Sequence, residues 1–195
     1  MEKALINTME AEHTQTKIPT LKIVLWVAMA SMFMLFAGLT SGYVVRQAEG
    51  NWLQFEIPTA FYYSTAILLM SSLTMFFALR AVKKDQQQSL KTWLIVTLGL
   101  GFAFIFSQFL GYGQLVKEGV YFTGGNIAGS FFYVITGLHV AHLVGGILAL
   151  IITSGKSILE KYNSQNLLGI QLCATYWHFL DLLWLYLFVF LVAIR

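Results

Sequence analysis

Apolar positions gather into five long runs, at 22–45, 58–79, 92–116, 127–154 and 167–194. Each exceeds the roughly 20 residues a helix needs to cross the hydrocarbon of a bilayer. Past the boundary residue Lys22, the only Asp, Glu, Lys or Arg inside the runs is Asp181. None of the runs alternates polar and apolar with period two, as the strands of a membrane barrel do. The pattern predicts an all-α integral membrane bundle of five transmembrane helices, one membrane domain over 1–195, with a polar tail at 1–21. Short polar linkers separate the helices. The last of them, 155–166, reads as a hairpin that makes the fourth and fifth helices antiparallel neighbours.

Charge sets the expected orientation. One side would hold nine basic residues: Lys3, Lys17, Lys22, Arg80, Lys83, Lys84, Lys91, Lys156 and Lys161. The other would hold Arg46, Lys117 and Arg195. The positive-inside rule then puts the N-terminus in the cytoplasm and the C-terminus outside. Composition agrees with a membrane class: the chain is 57% hydrophobic and 11% charged, against about 25% charged in soluble domains. A net charge of +3 raises nucleic acid as a partner, but the basic residues sit in linkers and mark topology, so none is expected. The single Cys173 excludes an internal disulfide framework and reads as a small packing residue.

The candidate chemistry lies in two of the runs. Asp181 stands near the middle of the fifth, where an aspartate costs roughly 2.5–3.5 kcal/mol and is normally satisfied inside protein. His178 precedes it by one helical turn, and Trp177 and Trp184 flank it. The fourth run carries His139 and His142 on one face at similar depth. If these helices are neighbours, the imidazoles come within reach of His178 and Asp181 as an interhelical polar core. Three functions fit such a cluster: structural glue, a proton-handling site, or ligation of a metal or haem by the histidines. The steps Gly38/Gly42 and Gly137/Ala141/Gly145 predict close helix crossings. Nucleotide-binding, zinc-protease and serine-hydrolase motifs are absent from the sequence.

These residues also carry a resemblance. Ser130-Phe131-Phe132-Tyr133-Val134-Ile135-Thr136-Gly137-Leu138-His139-Val140-Ala141-His142 resembles the F-Y-x-x-T-G-x-H-x-x-H signature of subunit III of the haem-copper oxidases. Tyr176-Trp177-His178-Phe179-Leu180-Asp181-Leu182-Leu183-Trp184 resembles that family's Y-W-H-F-V-D-x-x-W. The first helix, with Trp26, Ser31, Met34, Gly38, Leu39, Tyr43 and Arg46, is similar to the family's opening segment. Gln108 and Tyr112 are similar to its Q-x-x-E-Y. Order and spacing agree from about Trp26 to Phe188, in the manner of the five-helix bacterial form.

The resemblance implies a subunit without a redox centre, multi-pass in the bacterial inner membrane. Haem and copper belong to its partners, subunits I and II, with either cytochrome c or quinol as electron donor. It implies roles in assembly, protection of subunit I, proton uptake and the binding of phospholipid in a cleft. It leaves open whether the assembly belongs to a larger respiratory supercomplex. Trp177, Trp184, Tyr133, Gly137, Gln108 and Tyr112 are the residues expected to pack the core or line the cleft. Three family carboxylates are missing: Met32, Gly111 and Gln171 stand in their places. Gln171 keeps the ability to hydrogen-bond an imidazole of the fourth helix. The alternative from a different class is a standalone haem-binding membrane protein using His139, His142 and His178.

Overall fold

The computed structural model describes residues 20–50, 52, 54–123 and 126–194. The tail through residue 19, with His13, lies outside the described residues, as do Gly124, Gly125 and Arg195. Among the described residues the fold is helical: α1 Thr20–Ala48, α2 Thr59–Lys83, α3 Gln87–Lys117, α4 Ile127–Ile158 and α5 Leu168–Ala193. All five are long and apolar enough to cross a membrane. Most helices run past their apolar stretches, and Thr20 and Leu21 open α1 rather than close the tail. The apolar run marks only the part that meets hydrocarbon. Beyond it, Arg80 to Lys83 and Gln87 to Lys91 are good helix formers and keep the backbone bonded in water.

The helices α2, α3, α4 and α5 close a ring in which each packs on the next, with α2 against α3 and α5 against α2. The remaining helix, α1, lies outside it on α4 and α5. Its most apolar stretch is 17% buried, against 39–44% for the other four, so most of its surface faces outward. The ring interior is aromatic. Phe61 from α2, Phe104 from α3, Phe132 from α4 and Trp184 from α5 are buried there. Phe61 meets Phe132 edge-on at 5.1 Å between centroids, and Phe104 meets Trp184 edge-on at the same distance.

Three helices end in the same way. A residue in the left-handed region follows the last turn, at Asp85 (φ 54°), Gly119 (φ 79°) and Glu160 (φ 54°). The next amide then reaches back five residues, as from Gln86 to Ala81 O and from Lys161 to Lys156 O. Glycine is the usual occupant of such a position, and a side chain there costs about 1–2 kcal/mol. The two non-glycines use their side chains to tie adjacent loops together. Asp85 accepts the Ser164 N–H at 2.7 Å, and Glu160 accepts from Lys91 at 2.9 Å. Gln87 adds a bond to Tyr162 O at 2.6 Å. Tyr162 is enclosed in this loop, and burial raises its phenol above the ordinary pKa.

Candidate functional site

The inner face of α5 carries Trp177, Asp181 and Trp184 at spacings of four and three residues, and all three are buried. The two indole N–H groups meet α2 rather than α4. The Trp177 indole N–H donates to Ser71 Oγ at 3.0 Å. That of Trp184 donates to Thr65 Oγ1 at 3.0 Å. His178 Nδ1 pairs with the Ser72 hydroxyl across 2.7 Å. Four residues of α2 and α3 extend the seam, with Gln108 donating to Ser64 at 2.9 Å and Thr74 paired with Thr97 at 2.8 Å. Local chemistry accounts for the hydroxyls on α2. Ser64, Thr65 and Thr74 each donate back to a carbonyl of their own helix, so they sit in an apolar span without a standing cost and still offer a lone pair outward.

The histidines of α4 do not join this seam. His139 is fully buried and lies among the rings of Phe36, Phe104 and Trp184, with centroids 4.9–6.4 Å away. Neither of its ring nitrogens has a hydrogen-bond partner among the described residues. His142 donates from Nδ1 to Leu138 O of its own helix at 2.7 Å. Tyr176 donates to His142 O at 3.2 Å, which is the polar link that α5 makes to α4 at this depth.

Asp181 is 5% exposed and so faces protein rather than acyl chains. Ser72, already engaged by His178, stands close to its carboxyl. Even so, neither carboxyl oxygen makes a hydrogen bond of normal geometry. The expected cluster of imidazoles and carboxylate is therefore not hydrogen-bonded together. His178 and Asp181 share a face near Ser72, while His139 and His142 point elsewhere.

Gln171 reaches no imidazole. It lines a surface recess with Lys22, Trp26 and Thr175. Tyr112 donates to Thr136 Oγ1 at 3.0 Å, and Tyr133 donates to Val120 O at 3.0 Å. Both tyrosines serve packing between α3 and α4. The glycine steps differ from expectation. A Cβ at Gly38 or Gly137 would meet nothing within 4 Å, and at Gly42 or Gly145 only ordinary contacts. Close approaches from another helix fall at Gly101, Gly111 and Gly146, while the loop residues Val120 and Tyr162 crowd Gly129 and Gly169. Glycine spacing along one helix reports where a backbone can come near, while the bulk of the opposing side chain decides whether it does.

Hydroxyl acceptors on α2 are the feature that sequence reasoning passed over. Their signal was the pair of clusters Ser64-Thr65 and Ser71-Ser72 in an otherwise apolar run. The consequence is measurable. Ser71→Ala or Thr65→Ala leaves a buried indole N–H without an acceptor and is expected to cost about 1–3 kcal/mol. A thermal denaturation series in detergent reads this directly, and unchanged melting for both variants would refute the seam.

His139, His142, His178 and Asp181 are not joined to one another by direct hydrogen bonds among the described residues. Among the described residues, no group of three or more His, Cys, Asp or Glu lies together as a metal site would need. The polar atoms of the arrangement instead orient bulky rings.

Comparison with known proteins bears on the same residues. The profile of the family described as Cytochrome c oxidase subunit III matches residues 51–194. A probable cytochrome c oxidase subunit 3 of Nocardia farcinica is 31% identical, over 88% of this chain and 86% of the relative. A probable quinol oxidase subunit 3 of Staphylococcus haemolyticus is 31% identical, over 86% and 85% respectively. A cytochrome c oxidase subunit 3 of Corynebacterium diphtheriae is 29% identical, over 87% and 85%.

Proposed function

The chain belongs to the cytochrome c oxidase subunit III family, and from that premise we propose that it supports a respiratory haem-copper terminal oxidase as its non-catalytic third subunit. It is a multi-pass protein of the bacterial inner membrane. Its partners in this reading are subunits I and II, which hold the haem and copper, together with membrane phospholipid. Its tasks are assembly, protection of subunit I and support of proton uptake. The N-terminus faces the cytoplasm, where the excess of Lys and Arg lies, and residues 1–195 act as one membrane domain. Relatives are named for both cytochrome c and quinol oxidases, so the reading extends to the terminal-oxidase class and not to its electron donor.

One observation carries the scaffold role. Within the signature from Tyr176 to Trp184, Trp177, His178 and Trp184 bond Ser71, Ser72 and Thr65 of α2, and Tyr176 bonds the His142 carbonyl of α4. A segment used in this way locks a bundle. His139, His142, His178 and Asp181, with Gln171 at the surface, are proposed as residues that shape the bundle rather than react. The standalone haem protein is disfavoured by geometry. His139 is fully buried among the rings of Phe36, Phe104 and Trp184, so its imidazole is packed on by side chains where a haem face would have to lie.

The test is purification through a tag on this chain in mild detergent. The expected result is co-elution with a haem- and copper-containing complex, while the chain stripped from it shows no haem absorbance. A chain that elutes alone and carries a haem band would overturn the reading.

A further inference from the structure

The α2–α3 hairpin holds a recess of a different kind from those along the bundle. Between the last turn of α2 and the first turns of α3, a cavity of about 310 Å³ is lined by Phe77, Arg80, Lys84, Gln86, Ser89 and Trp93. Unlike the apolar grooves beside Tyr186 or beside Tyr63, its lining is mainly polar. Two cations converge on it. Of the neighbouring charges, Lys91 is engaged by Glu160 and Asp85 by the Ser164 amide, and Lys83 lies outside the lining. Arg80 and Lys84 make no ion pair among the described residues. The Arg80 guanidinium rests over the Phe76 ring, 5.3 Å from its centroid, which holds the group in place without using up its N–H donors on an acid.

Below the cations the surface turns apolar. Phe77 and Trp93 stand 5.1 Å apart, and Leu73 and Phe76 on the same side of α2 are 51% and 47% exposed. Tryptophan at this level is typical of the headgroup region. From top to bottom the site therefore offers paired cations, uncharged donors, a tryptophan and an apolar strip.

We propose that this recess binds the phosphate-bearing headgroup of an anionic phospholipid, with Arg80 and Lys84 on the phosphate oxygens, Ser89 and Gln86 on the headgroup hydroxyls, and an acyl chain along Leu73, Phe76 and Phe77. A planar guanidinium and an ammonium together suit a phosphate diester. Free inorganic phosphate would use the same cations but has no use for the strip beneath them, so the continuity of the two surfaces favours a lipid. The site depends on the chain spanning a membrane and is independent of its place in an oxidase.

The test titrates the full-length chain, delipidated in mild detergent, with phosphatidylglycerol, with phosphatidylcholine of identical acyl chains, and with inorganic phosphate. Binding is followed by native mass spectrometry. Phosphatidylglycerol is expected to bind about tenfold more tightly than phosphatidylcholine. The Arg80→Gln/Lys84→Gln variant should lose that preference, and Arg80→Lys/Lys84→Arg should keep it. Lys156→Gln, at a separate recess, should also keep it. Both altered side chains point outward, so a melting curve matching wild type confirms the fold of each variant. Equal affinity for the two lipids, a preference that survives the double Gln variant, or displacement of bound lipid by millimolar phosphate would each overturn the assignment.

Discussion

Alanine at position 177 is expected to lower the stability of the subunit by about 3 kcal/mol. Trp177 is fully buried, and its ring fills a hole that two other helices leave open. A Cβ at Gly101 of α3 would stand 2.9 Å from the ring, and one at Gly146 of α4 would stand 3.5 Å from it. The indole N–H reaches Ser71 of α2. One side chain of α5 thus touches all three other members of the ring. Truncating a tryptophan in a soluble core costs about 3–5 kcal/mol. In a bilayer the separated helices face lipid as apolar as the core, so the transfer part shrinks while the cavity and lost packing remain. Melting of the detergent-solubilised subunit measures the effect. Asp181→Asn is the comparator and is expected to change stability by less than about 1 kcal/mol, since no hydrogen bond is removed. Gly101→Leu should destabilise the wild type yet restore part of the Trp177→Ala loss, a reversal of sign that marks a shared volume. A loss under about 1 kcal/mol for Trp177→Ala, or no reversal, would mean that the two-glycine hole does not organise the ring.

The five spans were legible because a bilayer leaves a backbone few solutions, and uninterrupted apolar runs with polar ends announce the helical one. Neighbour relations were less legible. In water a helix shows its buried face as an apolar stripe, but here lipid and core are chemically alike, and every face of α5 reads the same. Asp181 and His178 were therefore expected to turn to the histidines of α4, the conspicuous polar groups in the adjacent run. The structure gives His178 to Ser72 of α2 instead. Serine and threonine attract little notice in a membrane helix because they can satisfy themselves on their own backbone, as Thr65 does on Phe61 O at 2.8 Å. That same habit leaves Thr65 ready to accept from Trp184. The resemblance carried the identity of the chain further than the chemistry of single residues did. Signature residues such as Trp177 and Trp184 are shared for what they pack against, and the packing partner lies in a helix where no signature had been noted.

Restoring the family carboxylate at position 111 is expected to be more damaging still. Gly111 is buried on α3, and an ideal Cβ there would stand 2.5 Å from Phe61 Cε2. Phe61 has nowhere simple to go, being 1% exposed and held by Tyr112, Phe132 and Trp184. The aromatic ring occupies the space that any side chain at position 111 would need. Gly111→Ala already forces the ring to move, at about 1–3 kcal/mol. Gly111→Glu adds a carboxyl in an aromatic setting with no donor provided for it, so a loss of at least ~3 kcal/mol is expected. Phe61→Ala should be costly alone but should recover part of the stability of Gly111→Glu, because it empties the volume the new side chain needs. Position 171 lacks such an enclosure and responds differently. Gln171 shares a surface recess with Lys22, so Gln171→Glu gains a nearby cation and is expected to stay within about 1 kcal/mol of wild type. Melting of the three variants and the Phe61 double substitution in one detergent sets the order. If Gly111→Glu folds as well as Gln171→Glu, or if Phe61→Ala gives no recovery, the ring is not what closes position 111 to a larger side chain.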